Sequence, residues 1–252
     1  MIPLQTVKRD AAKKHAVDEP WVDRWVVRKI SIHLTWLLVH TPLTANQVTL
    51  ISMALIAGGV VCLGAGHPLM PAAGAVGMFM GCVFDSCDGE IARFRKATSL
   101  RGVYLDTLSH AVTIPGMYLA AGIGQFLRHA TVESLVLGAV AAVAATHPTQ
   151  IAFMTLTHLG SGGQGASNRH GQPARIGGLK SLYLKTIGRA SIFPNSMYVF
   201  ILAAAADSIF LRNVGRGAIY WALAFYAVIL GLEQIVAAVS WSREDRLKQG
   251  AP

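Results

Sequence analysis

Six apolar runs constrain this chain more than any other feature it carries. They fall at about 47–66, 70–92, 103–126, 132–157, 195–212 and 217–240. A helix needs about 20 predominantly apolar residues to cross a hydrocarbon core of about 30 Å. In lipid every backbone N–H and C=O must find an internal partner, so such runs predict transmembrane helices, which also tolerate the Gly and Pro found inside several of them. Composition agrees, with 53% hydrophobic and 14% charged residues against about 25% charged in ordinary soluble domains. The expected fold class is all-α: a polytopic membrane protein of six transmembrane helices. Residues 21–41 mix Trp and Leu with Arg and Lys, which predicts an amphipathic helix lying in the interface before the first span. The expected organisation is therefore a cytoplasmic N-terminal segment with that helix (1–45), a six-helix transmembrane domain (46–241) and a cytoplasmic tail (242–252).

The net charge of +9 raises the question of nucleic acid, but the basic residues sit between the apolar runs and not along one aromatic-interleaved face. No nucleic-acid partner is expected. Nineteen of the 22 Lys and Arg lie before the first span, between the second and third, between the fourth and fifth, or after the sixth; only Arg128, Arg212 and Arg216 lie on the other side. This asymmetry predicts that both termini are cytoplasmic. No cleavable signal and no organelle address are legible, so the expected location is a bacterial inner membrane. The stretch 159–193, rich in Gly, Ser and basic residues, reads as a solvated linker or as a flap that brings Arg or His to a substrate. Cys62, Cys82 and Cys87 are odd in number, lack a CxxC pair and fall in apolar stretches, which predicts packing residues and neither a disulfide framework nor a zinc site.

The chemistry is expected where acidic residues enter the spans. Of 13 Asp and Glu, four cluster around the second and third spans: Asp85, Asp88, Glu90 and Asp106. An intramembrane carboxylate is costly and marks a functional site by default. Asp85 and Asp88, three apart, share a helix face with Ala92, while Gly102, Asp106 and His110 recur every four residues on the next helix. The short basic turn Arg93–Arg101 joins the two helices antiparallel, so the faces meet near the cytoplasmic end. Several carboxylate oxygens facing one another suit one or two hard divalent ions such as Mg²⁺ or Mn²⁺. Glu90 reads as a balance for nearby Arg charge. Asp207 and Glu133 are expected at the outer interface, and Glu233 reads as a buried partner for a basic group. His147 with Pro148 marks either a kink facing the cavity or a packed core position.

Residues 85–110 read DSCDGEIARFRKATSLRGVYLDTLSH. This string resembles the signature of the CDP-alcohol phosphotransferase (phosphatidyltransferase) family, D-x2-D-G-x2-A-R-x8-G-x3-D-x3-D. Seven of its eight fixed positions are met, by Asp85, Asp88, Gly89, Ala92, Arg93, Gly102 and Asp106. The stretch TANQVTLIS (44–52) also resembles the family's opening of the first span. The resemblance implies a CDP-alcohol donor, an alcohol acceptor, release of CMP, divalent metal and a homodimer in the bilayer. Carried over by position, it assigns Asp85, Asp88, Asp106 and His110 to the metal. Asn46, Gln47, Val48, Thr49, Gly89, Ala92, Arg93, Ser99 and Gly102 are assigned to the cytidine diphosphate.

The eighth position departs. His110 stands where the family has a fourth Asp, taken there as the proton acceptor from the attacking hydroxyl. Imidazole can act as general base or as metal ligand, and the exchange removes one negative charge from the site. A non-catalytic member of the family is one alternative reading. An ion- or proton-coupled transporter is another, although it leaves the spacing of Gly89, Ala92 and Arg93 without a reason, and no internal repeat supports an inverted-repeat transporter fold. The acceptor is not identified: glycerol phosphate, an inositol phosphate, an amino alcohol and diacylglycerol all fit.

Overall fold

A computed structural model describes residues 2–11, 22–160, 195–210, 214 and 216–248, and of residues 100–101, 147–160 and 236–248 the backbone alone. The 159–193 stretch lies almost wholly outside the described residues, as do the side chains of His147 and Pro148. Every regular element among the described residues is helical: α1 (Leu4–Asp10), a π-helical segment (Asp23–Val27) leading into α2 (Arg28–Leu38), α3 (Ala45–Gly64), α4 (Met70–Phe94), α5 (Leu100–His129), α6 (Val132–Gly160), α7 (Asn195–Ile209) and α8 (Ala218–Lys248). The last six fall on the six apolar runs.

Local chemistry accounts for the ends that matter to the site. Thr44 opens α3 with a capping box, its side chain accepting from the Gln47 N–H while the Gln47 side chain accepts from the Thr44 N–H. Ser99 opens α5 by accepting from the Gly102 N–H at 3.1 Å. Between them α4 stops where Lys96 turns left-handed (φ 52°) and the Ala97 N–H reaches back to the Ala92 carbonyl at 2.8 Å.

Small residues let the helices approach. A Cβ on Gly59 of α3 would lie 2.8 Å from the Gly74 carbonyl of α4, and one on Gly138 of α6 would lie 2.8 Å from the Tyr118 carbonyl of α5. Close backbone approach through small residues is the usual packing of helices in lipid, where apolar burial alone drives little association. Tyr118, Phe200 and Tyr226 meet with centroids 5.4–5.7 Å apart and lock α5, α7 and α8 together. Outward, Val61, Val76, Val112, Val143, Leu202 and Trp221 are each more than half exposed. An apolar exterior of this extent is not that of a monomer in water.

Among the described residues, three helical stretches are long and apolar enough to cross a membrane by length and composition: α3, α4 and Ala218–Ile235 of α8. Val132–Thr146 and Asn195–Ile209 are shorter apolar helices. α5 has the length, but its amino-terminal half carries Asp106 and His110.

The expectation that Asp207 faces the outer interface is corrected. Its carboxylate is buried at 1% exposure and accepts from Gln125 Nε2 (3.1 Å), the Ala218 N–H (2.5 Å) and the Ile219 N–H (3.1 Å). It thus caps the start of α8 from the end of α7, a long-range partnership that spacing in the chain does not reveal. Glu133 is exposed, 3.6 Å from Arg216, and Glu233 is half-buried on α8.

Candidate functional site

The starts of α3 and α5 and the last turns of α4 converge on one end of the bundle. Their meeting follows from two short links. Residues 65–69 fold α4 back along α3, and residues 95–99 fold α5 back along α4. The acidic residues of α4 and α5 therefore face each other across the α4–α5 turn.

Asp85, Asp106 and His110 form a compact group, with one donor atom from each lying within 4.8 Å of the others. His110 Nδ1 is 3.6 Å from Asp106 Oδ1 on its own helix, and Nε2 is 3.9 Å from Asp85 Oδ2 on α4. An ion about 2.1 Å from each donor spans donor pairs up to about 4.2 Å apart, so a side-chain shift of well under 1 Å closes this group on a cation. Two carboxylates and one imidazole suit Mg²⁺, Mn²⁺ or Zn²⁺ alike by donor type. The donor set fits a divalent ion.

Asp88 is not in that group. Thr49 Oγ1 of α3 donates to its Oδ2 at 2.5 Å, and Asp88 turns into an adjoining cavity that Asp106 also lines. The two acidic features therefore share one wall.

The cavity beside them is lined by Asn46, Thr49, Asp88, Gly89, Ala92, Arg93, Ser99, Gly102 and Asp106, among others. Seven of the nine positions assigned to the cytidine diphosphate are in this lining; the other two are not. Gln47 is occupied by the capping box, and Val48 is fully buried in the core. A Cβ on Gly102 would meet Asn46 Oδ1 and Ser99 Oγ at 3.5 Å, and one on Gly89 would lie 3.1 Å from Arg93 Nη1.

Electrostatically the cavity has two sides. Asp88 and Asp106 make one side acidic. On the other, α3 and α5 both open at its rim, through Ala45 and Asn46 and through Thr98 and Ser99. Helix N-termini present unsatisfied N–H groups and a positive dipole end, which attract phosphate. Arg93 adds a guanidinium. A ligand that is anionic, and that also carries or meets a cation, suits both sides at once.

Sequence reasoning missed how the amino-terminal segment is fastened to this end of α4. Glu90 is buried, its Oε1 accepting from Ser31 Oγ at 2.8 Å and its Oε2 from Thr35 Oγ1 at 2.6 Å. Charge balance toward Arg, the role read for it in the sequence, is thus not its closest contact. Arg95 donates to the Leu43, Thr41 and Val39 carbonyls just past the end of α2, at 2.5, 2.9 and 3.4 Å. Arg93 Nε donates to the Ala11 carbonyl at 2.8 Å. The signal was present in the chain: Ser31 and Thr35, four apart on one helix face, with a Glu in an apolar run to receive them. Trp25, Val26, Ile30 and Leu37 point outward instead.

A metal-competent acidic cluster beside an anion-ready cavity, in a helical bundle with an apolar exterior, is the arrangement of a membrane phosphotransfer protein. The particular family follows from comparison: its profile, CDP-alcohol phosphatidyltransferase, matches residues 42–228, well over half of the chain, and the chain belongs to that family. Family members are transferases that take CDP-alcohol donors and alcohol acceptors, generally with divalent metal. An 89-residue stretch is 40% identical to the Bifunctional IPC transferase and DIPP synthase of Rubrobacter xylanophilus, covering 34% of this chain and 20% of that protein. The match thus spans about a fifth of the curated relative's length.

Proposed function

We propose that this protein transfers a phosphoalcohol or phosphatidyl group from a CDP-alcohol to an acceptor hydroxyl, releasing CMP, in phospholipid or polar head-group biosynthesis. The observation that carries the reading is the convergence of Asp85, Asp106 and His110 within 4.8 Å, next to a cavity lined by Asp88, Gly89 and Arg93. Asp85, Asp88 and Asp106 would hold Mg²⁺ or Mn²⁺. When bound, such ions neutralise the charge on the donor's phosphates and on the leaving CMP.

The chain's own residues supply the rest. Asn46, Thr49, Ser99 and the N–H groups at the starts of α3 and α5 receive the cytidine diphosphate. Arg93 meets its phosphates with a forked donor set, and Gly89 and Gly102 leave room for the donor's backbone-side approach. Gln47 and Val48 act indirectly, by fixing the first turn of α3. His110 is the general base, at the junction of the two acidic helices, its Nδ1 3.6 Å from Asp106 Oδ1 and its Nε2 3.9 Å from Asp85 Oδ2. The imidazole's place in the three-atom group favours a second reading of His110, as a metal ligand alone.

We further place six spans in the inner membrane of a bacterium, α2 and the π-helical segment before it at the cytoplasmic interface with Trp25, Ile30 and Leu37 toward lipid, and the site and both termini on the cytoplasmic side. The positive-inside distribution and the apolar exterior support this. The divisions 1–45, 46–241 and 242–252 follow from the same reading, as does a homodimer from family resemblance. The acceptor is an alcohol.

The test is purified protein incubated with Mg²⁺ or Mn²⁺, a panel of CDP-alcohols and a panel of alcohol acceptors, with CMP as the readout. Metal- and acceptor-dependent CMP is expected, abolished by a chelator and restored by adding the ion back. No CMP from any pair, with donor still bound, would instead support a non-catalytic member; ion flux in liposomes without nucleotide would support a transporter.

A further inference from the structure

The amino-terminal segment 2–11 runs from the end of α2 to the rim of the cavity and is held at three points. At its start, the Ile2 N–H donates to His40 Nε2 at 3.2 Å and Trp36 Nε1 donates to the Ile2 carbonyl at 2.8 Å. His40 is itself set by its Nδ1, 2.7 Å from the Trp36 carbonyl, and by an edge-on stack against the Trp36 ring at 5.3 Å. That arrangement puts the proton on Nδ1 and leaves Nε2 as acceptor. Along its length, Val7 and Ala11 are fully buried. At its end, the Ala11 carbonyl takes the Arg93 Nε–H at 2.8 Å.

That last contact has a geometric consequence. A guanidinium is planar, so anchoring Nε fixes the plane in which the two terminal nitrogens lie. Nη1 is thereby held over Gly89, at the cavity wall. A long Arg side chain otherwise gives up rotamer entropy when a ligand orders it.

We propose that segment 2–11 is a positioning strap: it pre-orients Arg93 so that its terminal N–H groups face the donor's phosphates before the donor arrives. The proposal rests on the reading of Arg93 as a donor contact. Val7, Trp36 and the Ala11 carbonyl act through Arg93 and touch no substrate. Loosening the strap therefore weakens donor binding and leaves the chemical step alone, because the metal group and His110 are held by α4 and α5.

The experiment is steady-state kinetics on the full chain with varied CDP-alcohol, for Val7→Asp, Arg93→Ala and the pair. Val7→Asp is expected to raise the donor KM about 10-fold with kcat within about 2-fold, the pattern of lost binding without lost transition-state contact. In the Arg93→Ala background the same change is expected to add less than about 2-fold, since two changes acting through one contact are not additive. Should Val7→Asp fail to fold, Trp36→Phe removes only the N–H to Ile2 and is expected to raise KM about 3-fold. If Arg93→Ala raises KM while Val7→Asp and Trp36→Phe do not, the strap is overturned and the donor role of Arg93 stands. A strap effect of full size on top of Arg93→Ala also overturns it, as a merely structural role. If Arg93→Ala leaves KM unchanged, the donor reading of Arg93 falls and the strap with it.

Discussion

At the scale of single residues, the site turns on one exchange: an imidazole where the family signature has its fourth carboxylate. His110 reaches Asp106 along its own helix and Asp85 across to α4, so it occupies the junction between the two acidic helices. If it is the base, His110→Ala should lower kcat by about 10²–10⁴ while donor binding survives, the usual range for loss of a positioned proton acceptor. His110→Asp, which restores the signature, should recover a substantial part of that loss. Metal titration of the same variants separates the roles: an unchanged metal affinity in His110→Ala supports the base, and a large drop with activity rescued by excess ion supports a ligand. The seven matched signature positions were legible in the sequence through their resemblance to the family's signature. The division of labour was not: Asp88 bonds Thr49 of α3, a partner 39 positions away that no spacing rule brings forward.

At the scale of elements, the six runs marked where helices begin and end to within about three residues, because apolar length and cap chemistry are local, except that α8 continues to Lys248 in a charged stretch beyond the last run. α2 shows where local reading stops. Its pattern predicts an amphipathic helix, but the face it turns to the bundle is its hydroxyl face, Ser31 and Thr35, received by Glu90. A buried carboxyl group is costly unless its oxygens are satisfied, so this contact both holds α2 and fixes the last turns of α4 that carry Gly89 and Arg93. Glu90→Ala should destabilise the protein by about 2–3 kcal/mol, leaving two hydroxyls without their acceptor. Thermal unfolding in detergent measures this. In a Ser31→Ala/Thr35→Ala background the further cost of Glu90→Ala should fall well below the single-variant value. Equal costs in both backgrounds would mean that the hydroxyls do not hold Glu90.

At the scale of the whole molecule, the apolar exterior and the placement of basic residues make a topology prediction. Single cysteines placed in a cysteine-free background at Thr98, in the α4–α5 turn, and at Lys248, near the end of α8, should be labelled from the cytoplasmic side. One at Arg216 should be labelled from the opposite side, because an even number of spans returns the chain to its starting face. Labelling of Arg216 and Lys248 from one side would remove a span from the last part of the chain. By itself the sequence determined the all-helical class, the positions of the six apolar helices, the membrane setting and the family, since each of these depends on composition and short-range spacing. Only the tertiary structure decided which carboxylates share a cation-sized space, that Asp207 is a buried cap for α8, and that residues 2–11 close back on Arg93. Those are contacts between groups 11 to 82 positions apart. They exist only once glycine-lined helices have packed, and chain order carries no record of which side chains that packing will bring together.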